Sequence, residues 1–227
     1  MTIPSTIALD AMGGDHGPEV IVAGAVSAAR RFGVPIRLYG NEAAVSAALA
    51  THETGGLDIE VVGTSNDISM DDHPAQAVRR KPDSSLMRAM RAVKDGEAVA
   101  MVSAGNSGAV MAGALMTLGR IPGIDRPAIA SWMPSLTGRC LVLDLGAVTD
   151  PKPAHVVQFA LMGQTYARYV LNIPEPSIGL LSNGEEASKG NLLTVAVHRL
   201  LVETPGLDFR GNVEGKDIPL GTVDMVV

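Results

Sequence analysis

Apolar and polar positions along this chain alternate between two rhythms. Short apolar runs of β type, Thr6–Asp10, Ile36–Tyr39, Ile59–Val62 and Ala98–Val102, read as strands. Between them lie longer stretches with helical spacing. Glu19–Arg31 follows Pro18, which suits a first helical turn, and Glu42–Ala50 comes next. Ser84 or Ser85 caps a helix running to Lys94 and ended by Gly96, and Ser107–Leu118 follows the fourth strand. The second half changes rhythm. Ala128–Met133 and Cys140–Asp144, joined by Pro134–Gly138, predict a hairpin. His155–Val170 and Asn191–Val202 predict helices, and Ile178–Leu181 and the closing Thr222–Val227 predict strands.

Strand–helix alternation with one hairpin predicts an α/β fold, a mixed but mainly parallel sheet covered by helices on both faces in three layers. No repeat or linker-like composition divides residues 1–227, so the expectation is a single α/β domain. A parallel strand normally feeds a crossover helix. The strand at Thr222–Val227 is therefore expected to belong to a chain truncated at its C-terminal end. The uncharged stretch from Ala98 to Gly119 has the length of a membrane span. Ser103-Ala-Gly-Asn-Ser-Gly108 breaks it, so a strand, a turn and a helix are the better reading.

Composition narrows the function classes. Apolar residues make up 46% of 227, enough for a core, while aromatics are only 3%, so Ala, Val, Leu, Ile and Met must fill it. The formal charge of −6 argues against general nucleic-acid binding. The lone Cys140 fits a reducing, cytoplasmic setting, and MTIPSTIALD lacks a basic leader region. The histidines and the single cysteine have no zinc-motif spacing, so no metal is expected.

Ligands of open α/β sheets bind beyond the carboxyl ends of strands. Four loops lie at such ends. Asp10-Ala-Met-Gly-Gly-Asp-His-Gly-Pro-Glu19 offers Gly13 and Gly14, whose open main chain admits close approach, and then a helix N-terminus that attracts anions. It is neither a Walker loop nor G-x-G-x-x-G. A plain tight turn explains it equally well. The second loop, Ser103–Ala109, offers Asn106, Ser107 and Gly108 as donors, with Ser107 as a simple helix cap the competing reading. The third runs from Asp144 to Asp150. The fourth, Leu181–Asn191, places Lys189 near a helix start, where a cation is disfavoured unless an anion compensates. His16 is the only histidine inside such a loop. Arg79, Arg80, Lys81, Arg88, Arg91 and Lys94 crowd one segment against a single acid, Asp83. A solvated helix face and a dock for an acidic partner both fit them.

Together these loops resemble the PlsX family of bacterial phosphate acyltransferases. The likeness is carried by Ile7–Glu19, Val102–Ala109, Arg126-Pro-Ala-Ile129, Leu143-Asp-Leu-Gly-Ala147, Gly184-Glu-Glu with Lys189-Gly-Asn191, and Gly211–Val227. The resemblance implies an isopropylmalate dehydrogenase-like fold. It implies an enzyme, needing no cofactor, that converts acyl-[acyl carrier protein] and inorganic phosphate into acyl phosphate for phosphatidic acid and phospholipid synthesis. It further implies a cytoplasmic homodimer that touches the membrane peripherally. Members of this family continue well past residue 227 and usually carry Asn where this chain has Val148. Given that chemistry, Gly13, Gly14, Asn106, Ser107 and Gly108 are expected to cradle phosphate, and Asp10 and Asp144 to hold the loops. Lys189, assisted by Asn191, would neutralise developing charge, and His16 would orient phosphate or relay a proton. The basic segment would dock the acidic carrier protein. The alternatives are an acyl-coenzyme A phosphate acyltransferase, a metal-dependent hydroxy-acid dehydrogenase of the same fold, and an inactive fragment.

Overall fold

A computed structural model describes residues 5–227. The first four residues, part of the segment in which no leader is read, lie outside them. The chain divides into two compact units, Met1–Gly119 and Arg120–Val227, each with its own sheet.

In the first unit, β1 (Ile7–Asp10), β2 (Ile36–Gly40), β3 (Ile59–Gly63) and β4 (Ala100–Val102) are all parallel, in the order β3-β2-β1-β4. Four helices join them, α1 (Gly17–Phe32), α2 (Glu42–Leu49), α3 (Pro74–Arg80) and α4 (Ser85–Lys94), and α5 (Ser107–Thr117) follows β4. Pro18 sits in the first turn of α1, and Gly33 ends it in the left-handed region at φ 64°. Val22, Ala25, Val26 and Ala29 form the buried stripe that helical spacing demands. They pack with Ile36 and Leu38 on one face of the sheet, together with Val45 and Ala48 of α2. Strand alternation sends Ala8 and Tyr39 to the other face, where Ala89 and Ala92 of α4 cover them. Helices therefore layer both faces of a parallel sheet, as such sheets require.

In the second unit, β5 (Ala130–Ser135) and β6 (Gly138–Leu143) form the expected antiparallel hairpin, with a turn of only Leu136 and Thr137. Then follow α6 (Pro153–Val170), β7 (Ser177–Leu181), α7 (Leu192–Glu203), β8 (Asp208–Val213), α8 (Asp217–Leu220) and β9 (Met225–Val226). The order is β5-β6-β9-β7-β8, parallel apart from the hairpin. Leu141, Ile178 and Met225 pack under Phe159 of α6 and Leu201 of α7. Cys140, Val213 and Val226 form a second cluster with Val223, against which Ile218 of α8 packs.

The α/β class and mainly parallel pairing match the sequence reading, but the strands sort into two sheets. β4 is shorter than Ala98–Val102, and the closing strand is two central residues rather than six. Three elements escaped the sequence reading. β8 contains Asp208, Arg210 and Gly211, which break any apolar run, and α3 and α8 are too short to show a period. Among the described residues no helix is long and apolar enough to cross a membrane.

Candidate functional site

Neighbouring parallel strands bring the loops after β1 and β4 side by side in the first unit. Asp10 ends β1 and is 2% exposed. Its Oδ2 accepts the Ser103 hydroxyl at 2.7 Å, and its Oδ1 accepts the Met12 N–H at 3.3 Å. Ser103 Oγ in turn accepts the Gly105 N–H at 3.1 Å. The backbones then touch. A Cβ on Gly13 would lie 2.8 Å from both Asp10 Oδ2 and Gly105 N, so only glycine fits. Gly14 follows at φ 98°. His16, the residue before α1, is exposed and makes no capping bond.

The second loop differs from its simplest sequence reading. Asn106, rather than Ser107, caps α5: its Oδ1 accepts the Ala109 N–H at 3.0 Å. Its Nδ2 donates to the carbonyls of Met70 and Asp72, both at 3.1 Å. The Asn106 side chain is thus spent on anchoring residues 70–72 to α5. What the loop presents outward is the exposed Ser107 and the first-turn N–H groups of α5, which have no acceptor inside the helix. Gly108 lies against α3, where a Cβ would come 2.7 Å from Pro74 Cγ.

The basic segment divides. Arg88 pairs with Asp83 at 2.8 Å, Lys81 with Asp72 at 2.6 Å, and Arg91 donates to the Pro82 carbonyl at 2.6 Å. Arg88 and Arg91 also line a cavity of about 330 Å³ together with Arg37, Glu60, Asp95 and Glu97, where acids balance bases. The Arg88 guanidinium, with the Ser65 hydroxyl and N–H, holds the Asp83 carboxyl down at about 2. Lys81, then the Ser69 N–H, lowers Asp72. Arg79, Arg80 and Lys94 are exposed and make no ion pair among the described residues.

In the second unit, Asp144 follows β6 and is a scaffold. Its Oδ1 accepts the N–H groups of Ile129 at 2.7 Å and Ala147 at 3.1 Å, and its Oδ2 that of Val148 at 2.8 Å. Val148 itself packs against the core of this unit. The Lys189 loop connects β7 to α7. Lys189 is exposed and stands just before the helix, which Asn191 caps by accepting the Thr194 N–H at 2.9 Å. The lysine stem lies over buried Gly184, where a Cβ would come 2.8 Å from Lys189 Cγ. Both line an open cavity of about 560 Å³, shared with Asn183, Glu185, Glu186 and Glu214. Lys216 pairs with Glu214 and, at 3.6 Å, with Glu185. Lys189 makes no ion pair among the described residues, although three glutamates share its cavity.

Sequence reasoning missed Ser103, whose hydroxyl couples the two glycine loops, and Asn212, which braces the Lys189 loop from β8. Ser103 had a signal, since a hydroxyl directly after a strand faces its neighbour's loop. Asn212 lies in the Gly211–Val227 stretch that carries the family likeness, but β8 was not legible, so nothing local placed it under the Lys189 loop. Among the described residues no group of three or more His, Cys, Asp or Glu side chains is placed to hold a metal ion. Cys140 is buried, and burial, with Asp224 adding, pushes its thiol up to about 11, which makes it inert.

A family profile described as fatty acid synthesis protein matches residues 5–227. A curated relative from Geobacter sp. (strain M21), named phosphate acyltransferase, is 55% identical over 97% of this chain and 62% of its own length. The chain thus spans about three fifths of such relatives. Among solved structures, a phosphotransacetylase from Streptococcus pyogenes superposes with a TM-score of 0.70 at 16% identity, covering 100% of this chain and 78% of that one. EutD phosphotransacetylase from Staphylococcus aureus gives 0.67 at 14% identity, covering 98% and 76%. At such identities these two likenesses concern the fold.

Proposed function

We propose, from the premise that this chain belongs to the fatty acid synthesis protein family, that it serves transfer of a fatty acyl group from the thioester of acyl carrier protein to inorganic phosphate. An oxygen of hydrogen phosphate attacks the carbonyl carbon, the carbon–sulfur bond breaks, and the proton leaving phosphate ends on the released thiol. The products are acyl phosphate and free carrier protein, and the acyl phosphate feeds phospholipid synthesis.

The observation that carries this reading is the pair of glycine loops after β1 and β4, locked by Asp10 and Ser103 with the α5 N-terminus alongside. Phosphate is already an anion at neutral pH, so it needs donors more than it needs a base. Main-chain N–H groups around Gly13, Gly14, Ser107 and Gly108 supply them. Asn106 contributes as the anchor of α5, its side chain being occupied. His16, exposed beside the first loop, orients phosphate or relays its proton. Lys189 neutralises phosphate or the oxyanion of the tetrahedral intermediate; one donor aimed at such an oxygen is worth roughly 3–4 kcal/mol. Asn191 supports it by starting α7, and Asp144 by shaping its own loop. The carrier protein is acidic, and the exposed Arg79, Arg80 and Lys94, which no acid pairs among the described residues, offer it positive charge. Dimer formation and peripheral contact with the membrane, from the cytoplasmic side, belong to the same reading. The curated relative's name supports transfer to phosphate and leaves the donor thioester to experiment.

The test is a phosphate-dependent thioester assay on this chain, with acyl carrier protein and coenzyme A thioesters in parallel. Hydroxylamine traps the acyl phosphate. Product from the carrier thioester alone supports the reading, product from the coenzyme A thioester alone replaces the donor, and no phosphate-dependent product from either rejects it.

A further inference from the structure

The Lys189 loop rests on a chain of hydrogen bonds that runs from α7 through β8. Asn212 of β8 is 6% exposed. Its Nδ2 donates to the Glu186 carbonyl at 2.8 Å, and that same carbonyl accepts the Lys189 N–H at 2.9 Å. The turn that presents Lys189 is therefore bonded from within by its own backbone and from beneath by Asn212. On its other side, Asn212 Oδ1 stands 2.9 Å from His198 Nδ1.

The chemistry fixes every proton in this chain. A carbonyl oxygen only accepts, so the Asn212 amide nitrogen must face Glu186. Its oxygen then faces His198, and His198 Nδ1 must carry a hydrogen. Protonating the other ring nitrogen leaves that bond intact. The imidazole is half-buried and is held edge-on to Phe209, with ring centres 5.2 Å apart. The ring thus has packing to set its angle and one bond to set the orientation of the amide.

We infer that Asn212 is a positioning residue for Lys189 and that His198 holds the Asn212 side chain in the orientation that lets it brace the loop. This rests on the reading that Lys189 serves acyl transfer. The loop from Ser182 to Asn191 carries no large apolar side chain, and its Glu185 and Glu186 are exposed, so it has little apolar packing of its own to keep an ammonium in place. A single buried amide supplies that stiffness at the turn carbonyl. Neither Asn212 nor His198 need touch the substrate.

Two readouts test this on the 227-residue chain: amide hydrogen exchange, and steady-state kinetics with the carrier thioester. Asn212→Leu removes both bonds. His198→Phe keeps a ring against Phe209 and removes only the donor, and it stands in should the buried replacement fail to fold. His198→Asn restores an N–H near the Nδ1 position. The expected result is a Lys189 amide that exchanges roughly 10-fold faster in Asn212→Leu and His198→Phe, the scale of one buried hydrogen bond. The amides of Ile178 and Leu180 stay as slow as before, kcat falls with KM for the thioester unchanged, and His198→Asn recovers most of the loss. A Lys189 amide as protected in both variants as in the wild type overturns the inference. So does loosening that spreads equally to β7. The exchange measurement needs no substrate. Local loosening in a wild-type background that makes no acyl phosphate would remove the functional reading and still uphold the brace.

Discussion

Asp10 at the end of β1 and Ser103 just past β4 share a hydrogen bond of 2.7 Å across 93 positions of sequence, and it joins two glycine loops into one surface. Asp10 is almost fully buried, so its carboxylate depends on that hydroxyl and on the Met12 N–H. Ser103→Ala removes one of these partners, and an under-satisfied buried acceptor costs about 1–3 kcal/mol. Urea denaturation should show a loss in that range. Phosphate affinity should weaken with it, because Gly105 loses its acceptor and its loop shifts. Wild-type stability in Ser103→Ala would mean that the bond does not hold the loops.

Gly13 tests the same surface from the backbone side. A methyl group there meets Asp10 Oδ2 and Gly105 N at 2.8 Å, well inside contact distance. Gly13→Ala should push the loops apart and raise KM for phosphate at least several-fold, with little change in KM for the thioester. An unchanged phosphate KM would remove this loop from phosphate binding.

Lys189 is exposed and makes no ion pair among the described residues, so its removal should spare the fold. Lys189→Ala should lower acyl phosphate formation by about 100-fold or more, the scale of one charge-stabilising donor. The circular dichroism spectrum and melting temperature should stay close to wild type. Turnover within threefold of wild type would end the assignment.

The basic segment makes a prediction that depends on which arginines are reversed. Arg88 and Arg91 are already engaged with Asp83 and the Pro82 carbonyl, whereas Arg79 and Arg80 are exposed. Charge reversal at Arg79 and Arg80 should raise KM for the acylated carrier, more strongly at low salt. Reversal at Arg88 should act mainly on stability. Equal effects of the two reversals on KM would place the dock along the whole segment.

Asp83 carries a pH signature. Its folded carboxyl titrates at about 2, below the ordinary value near 3.9. The stabilisation is therefore fully present above about pH 4 and is lost as pH falls toward 2. The pair is partly exposed, so solvent screening limits the effect to about 1 kcal/mol or less. Asp83→Asn should be less stable than wild type by that amount at pH 5, and the gap should close near pH 2. A gap that persists at pH 2 would assign the stabilisation to packing.

Much of this arrangement was legible along the chain because its signals are local. The helix over Glu19–Arg31 and its Pro18 start are set by the backbone preferences of a few neighbours. The same holds for a serine cap at Ser84 or Ser85 and for the β5–β6 hairpin. The candidate loops could be found because glycines after apolar runs mark strand ends. The rest depended on contacts distant in sequence. Local pattern could not divide the strands between two sheets, since a strand's partner is chosen by burial on both faces. Ser107 and Asn106 compete for one cap on equal local terms. Asn106 takes it because its amide also reaches the Met70 and Asp72 carbonyls. Arg88 and Arg91 resemble a free basic stripe until the fold sets Glu60 and Glu97 beside them. Asn212 sits in a strand too polar to see, and it matters only because folding lays it under Glu186. The sequence by itself determined most of the segments that form elements and where glycine-rich loops follow strands, since both follow from neighbouring residues. Only the tertiary structure decided which polar side chains remain free, because hydrogen-bond partners dozens of positions away had consumed the others.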